Sequence, residues 1–418
     1  MSRKVESHYD VIVVGGGASG IGAALGAARS GAKVCLIEKY GFLGGAATHS
    51  QVLAYCGFYQ QGETPIRAVS GAGELVLEEM RKLGIGGKPL KSPTTGNWIL
   101  LLEPEAVKLA MDRVLENHGV DVLLHSRVAA VTRTGRDIES VMVAGMGGRD
   151  KIIGEAFVDA TGDANLSLLA GVTLQVGNEA GFLNAASAPI RIGGLEADLV
   201  IDRQAIINAL EEYSLTGKHP VSRKDAGIYM QMEGSGDLWW LVIDLPMKDL
   251  TSTTYSYAER AMRSAAHDYV SVLVKSVKGF ENAYLVQTGP QIGIRESRHP
   301  KARYHLTADD LLTGRQREDG VARAAWPAEL HLESGKPVYH SIGGAGYAHV
   351  PLDSLKAAEL DNLYFGGRII GADDIAFGSI RVMGTAFATG EAAGVAAANP
   401  SYDSVAVKEL LKSLGAII

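Results

Sequence analysis

Val11-Ile12-Val13-Val14-Gly15-Gly16-Gly17-Ala18-Ser19-Gly20 is the stretch that decides the fold. Four apolar residues run straight into a Gly-x-Gly-x-x-Gly turn. Ala24 and Gly31 follow, and then Lys33-Val34-Cys35-Leu36-Ile37 ends at Glu38. Strand, glycine turn, helix, second strand and terminal acid stand at the spacing of a dinucleotide-binding unit. Gly15 permits the tight turn, Gly17 lets the backbone approach a pyrophosphate, and Gly20 lets the helix lie close on the strand. The first helical turn, which holds Ser19, offers unpaired N–H groups and a positive dipole end to phosphates. Glu38 falls where a carboxylate accepts both hydroxyls of an unphosphorylated adenosine ribose.

This unit serves NAD and FAD alike, so the next residues matter. Lys39-Tyr40-Gly41-Phe42-Leu43-Gly44-Gly45-Ala46-Ala47-Thr48-His49 brings a second small-residue turn close behind the first. Such a turn fits a long cofactor that runs on past its pyrophosphate, which favours FAD. There is no second Gly-x-Gly-x-x-Gly in the sequence, so a separate NAD(P)H domain is not expected.

At 418 residues the chain exceeds what one core usually holds, and two domains are expected. The net charge is −7, and no Lys/Arg cluster suggests nucleic acid. Cys35 and Cys56 are the two cysteines; without a Cys-x-x-Cys pair a disulfide-reductase dithiol is not expected, and so few thiols fit a reducing cytoplasm. Met1 to Asp10 lacks the apolar core of a signal peptide, and the segment from Val11 is too glycine-rich and too soon charged to span a membrane. No His/Cys spacing argues for metal, and no Gly-x-Ser-x-Gly for a serine nucleophile.

Along the chain, 71–83 reads as a helix, and Glu103-Pro104-Glu105 opens another with proline where its missing N–H costs nothing. Val120 to Leu124 reads as a third strand. Arg127–Thr132, Ile138–Val143 and Lys151–Ile153 read as an antiparallel meander split by glycine turns. Ala156 to Asp163 reads as a buried strand ending in a polar turn at the carboxyl edge, where α/β proteins bind ligands. From about 175 to 340 the pattern changes to period-two stretches (187–192, 238–245) and a long helix over 258–275. Asp361 to Arg368 then reads as a core strand and turn, and Met383 to Ala398 as a small-residue helix. The division expected is a discontinuous domain, 1–174 with 341–418, capped by a substrate domain, 175–340.

The motifs Glu103-Pro104-Glu105-Ala106, Asp159-Ala160-Thr161-Gly162-Asp163, Gly293-Ile294-Arg295-Glu296-Ser297-Arg298, Asp361 to Arg368 and Ser379-Ile380-Arg381-Val382-Met383 span nearly the whole sequence. With the glycine turn they resemble the FAD-dependent oxidoreductases of the glutathione-reductase-like superfamily. The resemblance implies an α/β fold: a Rossmann-like FAD-binding domain with an inserted antiparallel meander, plus a mixed α+β cap. It implies one FAD, with Gly15, Gly17, Ser19 and Gly20 at the pyrophosphate and Glu38, next to Lys39, at the ribose. Gly44, Gly45 and Ala46 would follow the ribityl chain and flavin, and Val128 would read the adenine edge. Thr161, Gly162 and Asp163 would line the adenine or pyrophosphate side. Gly367, Arg368 and the helix start at Arg381, Val382 and Met383 would lie near the flavin. Two departures touch the substrate side: His299 stands where many relatives carry arginine, and Asp373-Asp374-Ile375 where they often carry histidine.

The chemistry needs a substrate C–H aligned with flavin N5 and a group that moves a proton. Arg298 and Arg381 are candidates to clamp a carboxylate, with Glu296 an alternative ion-pair partner for Arg298. His49, His331, Tyr347 and His349 are candidate acids or bases, and His49 and Cys56 candidate covalent attachment points. The function expected is hydride transfer between flavin and a small polar, carboxylate-bearing substrate, with an unidentified electron acceptor. A double-bond reductase, a redox-neutral lyase or isomerase, and a flavin-binding sensor are the alternatives.

Overall fold

The computed structural model of the chain describes residues 7–85, 88–93, 95–196, 199–333 and 336–418. Strand β1 (His8–Val14) feeds through Gly15 to Gly17 into helix α1 (Ala18–Arg29) and returns as β2 (Val34–Ile37). β1 and β2 pair in parallel, Val11 opposite Val34 through Val14 opposite Ile37. Asp121–Leu123 extends the sheet beyond β2. Both central strands are buried along nearly their whole length, which explains why they read as apolar runs and not as alternating patterns.

The meander differs from its expected form in one respect. Lys151–Ile153 and Ala156–Asp159 are parts of a single strand, Gly148–Asp159. Its first half pairs antiparallel with Asp137–Gly145, which in turn pairs with Arg127–Thr134. Its second half pairs in parallel with β1 and with Leu363–Phe365. The first half is largely exposed and carries Arg149, Asp150 and Lys151, whereas Ala156 to Asp159 is buried because it is covered on both faces. The change of pattern made one strand look like two.

A second sheet, in the order Ile228–Gln231, Leu238–Leu245, Ala186–Gly193, Tyr284–Thr288, is antiparallel throughout. The helices Arg203–Thr216 and Ser252–Ser276 pack on it. The second helix starts six residues before the expected Ala258, because the Thr251 hydroxyl caps it by accepting from Thr254 N–H at 3.3 Å. This sheet and its helices hold a core of their own, from Ala186 to Ile292. Residues Ala302 to Ala328, expected in the cap, bury their apolar side chains in the first core with β1 and α1.

The helix Met383–Ala398 lies against α1 at very short range. A Cβ on Gly390 would stand 2.0 Å from Ser19 O, one on Gly22 2.4 Å from Phe387 O, and one on Gly394 2.0 Å from Ala23 O. Glycine is needed at these positions for close approach, because backbone meets backbone and no side chain can yield. Glu391 of the same helix is 1% exposed. It accepts from Ala72 N–H at 3.0 Å and pairs with Arg29 at 3.2 Å. Burial outweighs both partners and pushes its carboxyl from 4.5 to about 7.

Two outcomes follow from this helix pair. Gly390→Ala forces the helices apart and should cost about 1–3 kcal/mol, read as a lower Tm together with weakened cofactor retention. The folded protein disfavours ionised Glu391, so its contribution is greatest below pH 4.5 and is lost as the pH rises through about 7. Denaturant titrations should therefore show that Glu391→Gln removes a decline of roughly 3 kcal/mol across that window.

Candidate functional site

A cavity of about 520 Å³ opens where the glycine turn, the second sheet and the Met383–Ala398 helix meet. That volume lies within the roughly 300–1,000 Å³ typical of small-molecule and cofactor sites. Gly15, Gly17 and Ser19 border it, as do Glu38, Lys39, Gly45, Ala46, Thr161, Gly162, Asp163, Gly367, Arg368, Val382 and Met383. Among the proposed acids, bases and clamps, His49, His331 and Arg381 border it too.

The turn is built as its glycines require. Gly15 has φ +107°, and a Cβ there would stand 2.4 Å from Ala160 O. Its N–H donates to Ile37 O at 2.8 Å. Gly17 is the N-cap of α1, and no side chain caps that helix, so its first-turn N–H groups are left for a ligand. Glu38 is 6% exposed and accepts from Gly16 N–H at 2.6 Å and Tyr40 N–H at 3.0 Å. Gly44 and Gly45 both have positive φ, and Gly44 N–H donates to Gly16 O at 2.9 Å, tying the second small-residue turn to the first. Asp163 accepts from Arg368 and from Ser297 Oγ, each at 2.8 Å.

A second group of side chains borders the same cavity. Glu329 Oε1 accepts from His331 Nε2 at 2.8 Å and from Tyr339 OH at 3.1 Å, while its Oε2 accepts from Trp326 Nε1 at 3.1 Å. Burial acts to raise the Glu329 carboxyl, but the His331 hydrogen bond and the Arg381 charge hold it well below the usual carboxylate range. Arg381 donates to Glu329 O at 2.8 Å, and Arg295 pairs with Asp244 at 3.0 Å. Burial, with Arg295 next in weight, pushes His331 down to about 4, so it is neutral near pH 7. His49 is also pushed down to about 4, by burial and then by Lys39 and Lys108. Its ring sits 4.0 Å from that of Tyr40 and 4.7 Å from that of Phe42, centroid to centroid.

Six predicted residues lie outside the cavity wall. Gly20 and Gly44 shape the turns from behind: a Cβ on Gly20 would stand 1.7 Å from Gly15 O. Val128 is buried within the meander. Arg298 donates to Asp163 O at 3.0 Å and to Asn165 Oδ1 at 3.4 Å, not to Glu296 and not into the cavity. Glu296 instead accepts from Asn184 and pairs with His299 at 3.1 Å. Tyr347 stacks under the Arg323 guanidinium at 3.9 Å, and the Nδ1 of His349 lies 3.0 Å from both the N–H and the O of Arg317. These contacts tie Arg298, Tyr347 and His349 into the framework.

Arg295, Glu329, Tyr339, Tyr40 and Trp239 also border the cavity, and the sequence reading did not place them there. Arg295 stands in the very motif from which Arg298 was chosen; which arginine faces inward depends on the partners Asp244 and Ala185 O, far away in sequence. Glu329 had a signal, the Glu-x-His spacing that puts two side chains on one face of a strand.

The residues present fit an FAD. Several buried polar atoms bordering the cavity have no partner among the described residues: Ser19 Oγ, both ring nitrogens of His49, His331 Nδ1, and the Nε atoms of Arg368 and Arg381. Leaving so many buried polar atoms unpaired is costly unless a ligand satisfies them. An uncapped helix start for phosphates and a buried carboxylate for a ribose stand beside them. Among the described residues no group of three or more His, Cys, Asp or Glu could hold a metal ion, and no helix is long and apolar enough to cross a membrane. Both cysteines are free.

Comparison with known proteins agrees with this geometry. Over its whole length the chain resembles p-nitrophenol 4-monooxygenase PnpA of Pseudomonas putida DLL-E4, at 12% identity and a TM-score of 0.50, covering 97% of this chain and 84% of that one. It resembles the flavin-dependent brominase Bmp2 at 16% identity and a TM-score of 0.50, covering 97% and 83%. These likenesses bear on the fold. The soluble pyridine nucleotide transhydrogenases of Yersinia enterocolitica and Yersinia pestis are 50% identical over 42 residues, 10% of this chain and only 9% of the length of those relatives. The FAD dependent oxidoreductase family matches residues 10–414. With that match across nearly the whole sequence, and a cavity fitted to the cofactor, the chain belongs to the FAD dependent oxidoreductase family and is an enzyme that uses FAD.

Proposed function

We propose that this enzyme transfers a hydride between its FAD and a small polar substrate that carries a carboxylate. One observation supports the reading above others: a single cavity joins the uncapped glycine turn and Glu38 to the group of His331, Glu329 and Arg381. FAD supplies a two-electron hydride acceptor or donor. The rest is the work of the chain's own side chains.

In this reading the first turn of α1 and the Ser19 hydroxyl hold the pyrophosphate, and Glu38, beside Lys39, accepts from the adenosine ribose. Gly45 and Ala46 leave room for the ribityl chain, and Thr161, Gly162, Asp163, Gly367 and Arg368 close the nucleotide side. Val382 and Met383, at a helix start without a side-chain cap, direct a positive dipole end toward the flavin. The strand with Trp239, from the second sheet, reaches across: its indole N–H donates to Gln51 O at 2.7 Å, covering the cavity and excluding water. The first core then serves as the cofactor domain and the second as the cap. The proposal extends to membership of the glutathione-reductase-like superfamily, supported by the Gly44-Gly45 pair behind Glu38.

Arg381 is the group best suited to a substrate carboxylate. It is half-buried, its Nε is buried with no partner among the described residues, and its planar fork matches two carboxylate oxygens. Neutral His331 beside it is suited to accept a proton.

Acid precipitation tests the cofactor half. The purified protein should be yellow and release its colour to the supernatant; colour kept in the pellet would point to attachment at His49 or Cys56. Arg381→Lys tests the substrate half. The charge remains while the fork is lost, so KM for a carboxylate substrate should rise roughly 10–100-fold, read by steady-state kinetics against an uncharged analogue whose KM is unchanged.

A further inference from the structure

Glu329 and His331 form a dyad whose proton positions are dictated by a third residue. Trp326 Nε1 is a hydrogen-bond donor only, and it donates to Glu329 Oε2 at 3.1 Å. The other carboxylate oxygen, Oε1, faces both His331 Nε2 at 2.8 Å and Tyr339 OH at 3.1 Å. An ionised carboxylate only accepts, so the neutral imidazole must carry its proton on Nε2. That leaves Nδ1 as a bare lone pair. His331 Nδ1 is buried, has no partner among the described residues, and belongs to a ring that borders the cavity. The backbone N–H of His331 donates to Asn184 Oδ1 at 2.9 Å, which fixes the strand beneath the ring.

We propose that Glu329, anchored by Trp326, is the positioning residue that holds His331 in its Nε2–H form, so that Nδ1 is the atom that takes the substrate's proton. This rests on the hydride-transfer reading above. In the oxidative direction the substrate's O–H or N–H bond breaks and its proton bonds to Nδ1. The electron pair left behind closes a C=O or C=N bond as the C–H hydride departs, with FAD as oxidant. The reverse direction returns the same proton from Nδ1.

The charged and titratable groups around the dyad fit this role. Arg295 and Arg381 act on His331 to keep it unprotonated at rest, and Glu329 acts the other way, stabilising the imidazolium once it forms. Cys56 borders the same cavity but is a poor rival base, because burial holds its thiol protonated. Tyr339 is held protonated by burial and by Glu329.

Two variants at this dyad should move the imidazole proton and restore it. In Glu329→Gln the amide must turn its oxygen to Trp326, because two donors cannot face each other. Its NH2 then faces His331 Nε2, which becomes an acceptor, and the imidazole proton moves to Nδ1. In the double variant Trp326→Phe with Glu329→Gln that constraint is gone. The amide oxygen can face His331 and Tyr339 again, and the Nε2–H form returns.

The experiment is nitrogen NMR of holoenzyme labelled with 15N-histidine at pH 7, with His331→Asn as the assignment variant. The wild type should show Nε2 protonated and Nδ1 bare, Glu329→Gln the reverse, and the double variant the wild-type pattern. Anaerobic flavin bleaching by a panel of 2-hydroxy and 2-amino acids gives the second readout. Glu329→Gln should slow it roughly 10²–10⁴-fold with little change in KM, and the double variant should recover part of that loss. An unchanged tautomer in Glu329→Gln overturns the proposal, as does wild-type bleaching by a variant whose tautomer has reversed. A wild type that no panel member bleaches refutes the hydride-transfer reading instead, and the tautomer comparison still decides the dyad.

Discussion

The contact between α1 and the Met383–Ala398 helix is the constraint on which the site depends. Glycines at 22, 390 and 394 let the two backbones meet with no side chain between them. That approach brings two helix starts to one cavity: Gly17 to Ser19 from the beginning of the chain, and Val382 to Met383 from near its end. The Gly384 N–H donates to Cys56 O at 2.8 Å and locks the second helix start to the segment behind the Gly44-Gly45 turn. A single added methyl group at the crossing would therefore be felt at both sides of the cavity.

Electrostatics divides the cavity along the same lines. Glu38 and Asp163 meet backbone N–H groups, Ser297 and Arg368 on the side of the glycine turn. On the other side Glu329 balances Arg381, and Asp244 balances Arg295, so two half-buried arginines are held there at tolerable cost. Two histidines, His49 and His331, are buried and neutral in the same space. They differ in their surroundings. His49 rests against the Tyr40 and Phe42 rings with neither nitrogen hydrogen-bonded among the described residues, whereas His331 has one nitrogen committed to a carboxylate and the other without a partner among them. Only His331 therefore has a defined tautomer before any ligand arrives.

Local signals explain which expectations matched the structure. The glycine turn, its strands and Glu38 are contiguous and short-range, and each residue type has one physical reason to be there. The helix at Pro104, the meander and the Met383 helix also carry local signatures. Period and composition do not show which core a segment joins. Ala302 to Ala328 looks like the segments before it yet packs with β1 and α1. Arg298, Tyr347 and His349 have the right chemistry for a site, but their partners, Asp163, Arg323 and Arg317, are set by long-range folding.

The sequence alone determined the α/β fold, the dinucleotide turn and the preference for FAD, because those rest on glycines, caps and an acid at fixed short spacings. Tertiary structure decided which arginine of Gly293 to Arg298 faces the cavity and which histidine has a carboxylate behind it. It also decided that Trp326, Glu329 and His331 share one hydrogen-bond chain. Those choices depend on where distant backbones bring Asp244, Asn184 and the Asp374–Ile380 helix, and no local pattern encodes that placement.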